Sequence, residues 1–125
     1  MAQEPKTLRV LLVEDDNLVA MLVEDMLADL GWELAKNPRN VAEALLYLEA
    51  PDWDVAILDV NVAGERVFPV ADALQEGGRP FIFASGYGTS AIPDVYEAIP
   101  VIAKPFRMEQ LQAALLQAAS FVQNH

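Results

Sequence analysis

Five short apolar runs recur along the chain, each followed by a helical pattern, and this alternation constrains the fold more than any other feature. LRVLLVE at 8–14, DVAILD at 54–59 and PFIFAS at 80–85 are apolar almost without interruption, as expected of strands covered on both faces. WELAKN at 32–37 reads as a weaker second strand and IPVIAK at 99–104 as a fifth. Between them, Val19, Leu22, Val23, Met26 and Leu30 form a helical stripe across 17–30, with Glu24 opposite and Gly31 as the stop. Asn40 is placed to cap a helix through VAEALLYLEA at 41–50, which Pro51 ends. RVFPVADALQE at 66–76 keeps helical spacing, with Pro69 near its start and Gly77 and Gly78 after it. A short helix is predicted around 91–98 with Pro93 in its first turn. Met108, Leu111, Leu115, Ala118 and Val122 predict a last helix running almost to His125, for which Arg107 is a poor cap.

Strands alternating with helices at this spacing imply right-handed crossovers and a doubly wound parallel α/β sheet with helices on both faces. The 125 residues suit a single domain, with a core expected over about 7–123. Nineteen acidic residues against eight basic ones give a net charge of −11, which argues against direct nucleic-acid binding or an anionic membrane surface as partner. No apolar run approaches a membrane span, and MAQEPKTLRV lacks the pattern of a secretory signal, so the expected location is cytoplasmic. Cysteine is absent, which removes disulfides and thiolate chemistry.

In such a sheet, ligands sit beyond the carboxyl ends of the strands. Those ends here are Glu14 and Asp15, Asp59, Ser85 and Lys104. Gathered at one edge, the carboxylates would repel one another; a pair about 4 Å apart costs on the order of 4 kcal/mol at an effective dielectric near 20. A hard dication bound through oxygens offsets that, and Mg²⁺ favours a few carboxylates plus water and phosphate oxygens. The arrangement equips Asp59 to attack a phosphoryl group as nucleophile and form an acyl phosphate. Asp15 would hold the metal directly, Glu14 partly through water, and the Asn61 backbone carbonyl would complete the coordination. Ser85 would donate to one phosphoryl oxygen and Lys104 would pair with another.

These residues resemble the receiver domains of two-component response regulators. LLVEDD matches the family's acidic pair, ILDVNVAG its phosphoacceptor aspartate, FASGYG its hydroxyl position and AKPF its lysine and proline. The resemblance implies the flavodoxin-like strand order 2-1-3-4-5 and dependence on Mg²⁺, for which Mn²⁺ can substitute. It also implies a cis peptide before Pro105, and a phosphohistidine donor on a sensor histidine kinase or histidine phosphotransferase. PFIFASGY is similar to the PFxFATGY signature of an alphaproteobacterial subgroup that often consists of stand-alone receivers, with Ser85 in place of Thr. Val101 stands where the family usually has an aromatic switch residue, so an aromatic swing coupled to the hydroxyl is not expected.

Tyr87 is expected at the mouth of the pocket or packed on its loop. Asp16 reads as a helix cap, Trp32 and Trp53 as structural, and His125 as isolated. The expected output is through protein contacts, on a downstream regulator protein or a self-dimer, with a surface change around the fourth helix, fifth strand and fifth helix. The alternatives are a receiver-like interaction module that works without phosphate, and a small aspartyl-phosphate phosphatase. Against the phosphatase, DVN lacks the second acid usual two residues after the nucleophile. A flavodoxin-like carrier is disfavoured by the acidic EDDN after the first strand.

Overall fold

The computed structural model describes residues 7–123, with side chains as far as Ser120. Five parallel strands form the central sheet: β1 (Arg9–Val13), β2 (Glu33–Lys36), β3 (Val55–Asp59), β6 (Phe81–Ser85) and β7 (Val101–Ala103). They lie in the order β2-β1-β3-β6-β7, which is the 2-1-3-4-5 order of the receiver fold once the small hairpin of β4 (Asn61–Val62) and β5 (Glu65–Arg66) is set aside. Alternate side chains of a strand point to opposite faces, and both faces are covered. Leu11, Val13, Leu58 and Phe83 pack toward α2 (Val41–Leu45) and α3 (Phe68–Glu76), beside Val41, Ala44, Val70 and Leu74. Val10, Leu12, Ile57 and Ile82 pack toward α1 (Asn17–Asp29) and α4 (Met108–Gln123), beside Val23, Leu27, Leu111 and Leu115. This two-sided burial is why the strands read as apolar runs.

The structure departs from the sequence pattern in four places. In α1 the buried face is Ala20, Val23 and Leu27, while Leu22 is 51% exposed; residues 18–23 are apolar all round, so spacing alone did not select the face. Asn40 does cap α2, its Oδ1 accepting from Glu43 N at 2.8 Å, yet the helix stops at Leu45. The following carbonyls are taken by side chains: Trp53 Nε1 donates to Tyr47 O at 2.8 Å, and Arg79 Nη1 donates to Leu48 O at 2.6 Å and to Ala50 O at 2.8 Å. The loop after Asp59 contains a hairpin, β4 (Asn61–Val62) with β5 (Glu65–Arg66), turned by Ala63 and Gly64 at φ 50° and 80°. Positive φ at both central residues is what a two-residue hairpin of this hand requires.

The helix expected at 91–98 is absent. Two 3₁₀ turns, Gly88–Ala91 and Asp94–Tyr96, take its place. Pro93 keeps Ile92 extended, which separates the two turns, and Pro100 bars continuation of the second. The segment is instead anchored by Tyr96, whose buried ring stacks on Phe68 and meets Phe83 edge-on. At α4, Gln110 Oε1 accepts from Arg107 N at 2.8 Å, the back-reaching half of a capping box, whose other half arginine cannot supply. The α4 side chain of Val122, and His125 entirely, lie outside the described residues.

Candidate functional site

The parallel sheet brings Glu14, Asp15, Asp59, Ser85 and Lys104 to its carboxyl edge. β3 and β6 pair Asp59 with Ala84, and β6 and β7 pair Ser85 with Ala103, so Asp59, Ser85 and Lys104 follow one another across the edge. Glu14, Asp15 and Asp59 each offer a carboxylate oxygen, all within 4.8 Å of one another. The Lys104 ammonium sits 3.1 Å from Glu14 Oε1 and 3.1 Å from Asp59 Oδ1. Behind them Leu12, Val19, Val23, Ile57, Ala84 and Phe106 close a crevice too tight for water.

Burial is unequal among the acids. Glu14 is 2% exposed and both its oxygens are engaged, Oε1 by Lys104 and Oε2 by Asp16 N at 3.1 Å. Asp59, 9% exposed, has its pKa pushed up to about 6 in the cation-free protein, first by burial and then by the Glu14 charge, against the pull of Lys104. Burial alone would depress the Lys104 ammonium, but Asp59 and Glu14 outweigh it and raise its pKa. Asp15 is exposed, and its carboxylate has no hydrogen-bond or ion-pair partner among the described residues.

The neighbouring residues divide between the site and its frame. Ser85 is buried, its Oγ accepting from Tyr87 N at 3.0 Å, which leaves the hydroxyl proton free to donate elsewhere. The Tyr87 side chain is 72% exposed and does not line the crevice behind the acids. Asp16 caps α1, accepting from Leu18 N at 2.8 Å and Val19 N at 3.3 Å. Asn61 begins the hairpin two residues past Asp59, paired with Arg66. The Lys104–Pro105 peptide is cis, as the resemblance implied. Val101 is half-buried against the core that holds Phe83 and Tyr96.

Two further residues went unnoticed in the sequence. Asn37 Nδ2 donates to Leu12 O at 2.8 Å and Glu14 O at 3.1 Å, and Arg39 Nη2 donates to Asp15 O at 2.6 Å. Both sit in NPRN, whose composition signals only a turn.

An all-oxygen cluster of three carboxylates, one of them unpaired, fits a hard dication and offers nothing to a softer metal. Among the described residues, no helix is long and apolar enough to cross a membrane.

No family model matches the chain. Its structure is similar to the solution structure of SdrG from Sphingomonas melonis Fr1, with a TM-score of 0.77 and 38% identity over 91% of this chain and 97% of that one. A solution structure of the BeF3-activated conformation of SdrG from Pseudomonas melonis Fr1 gives 0.76 and 37%, over 92% and 99%. The PhyR response regulator REC domain of Erythrobacter litoralis, 21% identical over 92% of each chain with a TM-score of 0.77, shares the fold. In sequence the chain is 26% identical over 121 residues to the sensory transduction protein LytR of Staphylococcus haemolyticus, covering 94% of this chain and 47% of that protein. The chain thus spans about half the length of the curated relatives it matches.

Proposed function

The chain belongs to the receiver domains of two-component response regulators, and we propose that within that family it accepts a phosphoryl group on Asp59 from a phosphohistidine of a sensor histidine kinase or histidine phosphotransferase. The single observation that carries this reading is the Lys104 ammonium bridging Glu14 and Asp59 at 3.1 Å each, with Asp15 left open beside them. The resemblance of PFIFASGY to the alphaproteobacterial subgroup accords with the 38% identity to SdrG. That SdrG has a BeF3-activated conformation also supports it, since trifluoroberyllate on a carboxylate imitates an acyl phosphate.

In the transfer step an Asp59 carboxylate oxygen attacks phosphorus, the P–N bond of the donor breaks, and its electron pair returns to the imidazole. Asp15 and Asp59 would hold Mg²⁺ or Mn²⁺, with Glu14 and the Asn61 carbonyl in support. The bound ion would neutralise phosphoryl oxygens as charge builds on them. Lys104 pairs with a second phosphoryl oxygen and Ser85 donates its free hydroxyl proton to a third. The move of Lys104 from the Asp59 carboxylate to a phosphoryl oxygen, with Ser85 drawn to another, is then the signal. It reaches the surface through the β6–β7 segment, where the two 3₁₀ turns take the place of the fourth helix, and through β7 and α4.

We read residues 1–125 as one receiver domain with its core at 7–123, a cytoplasmic signalling module rather than a turnover enzyme. Its output goes to a downstream regulator protein or a second copy of itself, with no nucleic acid or membrane as partner. Incubation with acetyl phosphate followed by intact-mass measurement tests the assignment: one phosphoryl group is expected on the chain and none on Asp59→Asn. Uptake by that variant would refute Asp59 as the acceptor. A module that works without phosphate would show no saturable Mg²⁺ binding. Calorimetry is the suitable probe, because Trp32 and Trp53 precede β2 and β3 and so lie at the amino edge of the sheet, away from the acids.

A further inference from the structure

Glu14 and Asp15 lie past the end of β1, where pairing with β2 has already ceased at Lys36. Their backbone is nevertheless held. Glu14 N donates to Pro38 O at 3.1 Å, Asn37 Nδ2 donates to Glu14 O at 3.1 Å, and Arg39 Nη2 donates to Asp15 O at 2.6 Å. The clamp is itself fixed to α2: Arg39 N donates to Glu43 Oε1 at 3.2 Å, and Glu43 N to Asn40 Oδ1 at 2.8 Å. The NPRN turn thereby continues the job of a neighbouring strand for two more residues.

The choice of acceptor for Arg39 is informative. A guanidinium beside an exposed carboxylate would ordinarily pair with it. Here it binds the Asp15 carbonyl, and no ion pair to the Asp15 carboxylate exists among the described residues. The carboxylate is held in place by its backbone and left unpaired. By charge alone, an arginine at this spot opposes a dication; what it contributes must therefore be orientation.

We propose that Arg39 is a positioning residue for the cation site. It orders the Asp15 backbone in advance, so that the carboxylate meets the ion without first losing conformational freedom. The inference rests on the dication reading of the acidic cluster given above. It also gives α2 a route to the site, since a movement of Glu43 would reach Asp15 through Arg39.

The two possible effects of Arg39 have opposite signs, and this makes a test decisive. Mg²⁺ affinity is measured by calorimetry on the full chain, alongside urea unfolding in chelator. Supporting partners of metal ligands commonly account for about tenfold in affinity or more. Arg39→Met, which keeps the aliphatic stem, is expected to bind Mg²⁺ about tenfold more weakly with an unchanged urea midpoint, and Arg39→Lys, which can donate to the same carbonyl, to recover most of that loss. Binding by Arg39→Met as tight as the unsubstituted chain, or tighter, would overturn the proposal and leave Arg39 as a repelling charge. A collapsed urea midpoint would also overturn it, marking a residue of the fold instead. Absence of saturable Mg²⁺ binding by the unsubstituted chain would defeat the dication reading itself, and the Arg39 role with it.

Discussion

The Lys104 ammonium lies 3.1 Å from Asp59 Oδ1, across the full width of β6 from the strand that carries the aspartate. It is the one positive group in direct contact with two buried acids among the described residues. Lys104→Met is therefore expected to destabilise the cation-free protein by about 2 kcal/mol. That is below what breaking a fully buried pair costs, because Lys104 is 25% exposed and water screens part of the interaction. Mg²⁺ should restore part of the loss by supplying the missing charge. Urea unfolding with and without Mg²⁺ checks this, and equal midpoints for variant and parent in chelator would contradict it.

Asp59→Asn should act in the opposite direction on the same protein. With its pKa raised from 3.8 to about 6, the folded state keeps a proton that the unfolded chain releases within that window. Stability of the cation-free protein is then full below 3.8, falls as pH rises toward about 6, and stays lower above it. Asparagine removes that loss. At neutral pH in chelator the variant is expected to be more stable by about 1–3 kcal/mol, with the difference vanishing in acid. Added Mg²⁺ should stabilise the parent and have much less effect on the variant. A parent whose stability is flat across the window would contradict the argument.

The strands and the strand-end acids were legible because both leave local marks: two-sided burial writes continuous apolar runs, and Glu14, Asp15, Asp59, Ser85 and Lys104 close them. Caps at Asp16 and Asn40 were legible for the same reason, since a cap bonds within three residues of itself. Contacts between distant segments were not. Asn37 and Arg39 act on carbonyls of Leu12, Glu14 and Asp15, and a carbonyl has no sequence signature. The early end of α2 depends on Trp53 and Arg79, and the buried face of α1 on which of six consecutive apolar residues the sheet receives. At 91–98 Pro93 reads as a first-turn residue of a helix, but Ile92 before it is extended and Pro100 follows only seven positions on.

Arg79 is a structural residue that composition would place on the surface. Its guanidinium lies 3.5 Å from the centroid of the Trp53 ring and donates to the carbonyls of Leu48, Ala50 and Trp53. Lysine cannot reproduce a fork that reaches three carbonyls while stacking on a ring. Arg79→Lys is expected to cost about 2 kcal/mol and Arg79→Ala about 3 kcal/mol, from lost charge-assisted hydrogen bonds and the cation–π contact. Phosphoryl uptake should survive in both, since the contacts lie at the amino edge of β3. Thermal unfolding monitored by Trp fluorescence measures the cost, and a change under about 0.5 kcal/mol would show that water replaces the guanidinium.

Tyr96 ties the β6–β7 segment to α3. Its hydroxyl donates to Asp72 Oδ1 and lies 3.4 Å from Phe68 O, and its ring stacks on Phe68 with centroids 5.6 Å apart. Burial, then the hydrogen bond and charge of Asp72, push its pKa up to about 12. A phenol whose folded pKa is raised stabilises the fold fully below its ordinary value of 10.0, and that contribution is lost as pH rises toward about 12. Tyr96→Phe keeps the ring and removes the hydroxyl. Because Asp72 is exposed and returns to water, the expected cost at neutral pH is only about 1 kcal/mol. Above pH 10 the parent should lose stability faster than the variant, so their unfolding midpoints converge. The absorbance of phenolate, compared between parent and variant, reports the same ionisation directly; a Tyr96 that titrates at its ordinary value would mean the latch to Asp72 is open in solution. With Val101 in place of an aromatic, this latch is the aromatic contact that joins the segment after Ser85 to the rest of the core, and loosening it should broaden the amide signals of 86–100 without moving those of β1 and β3.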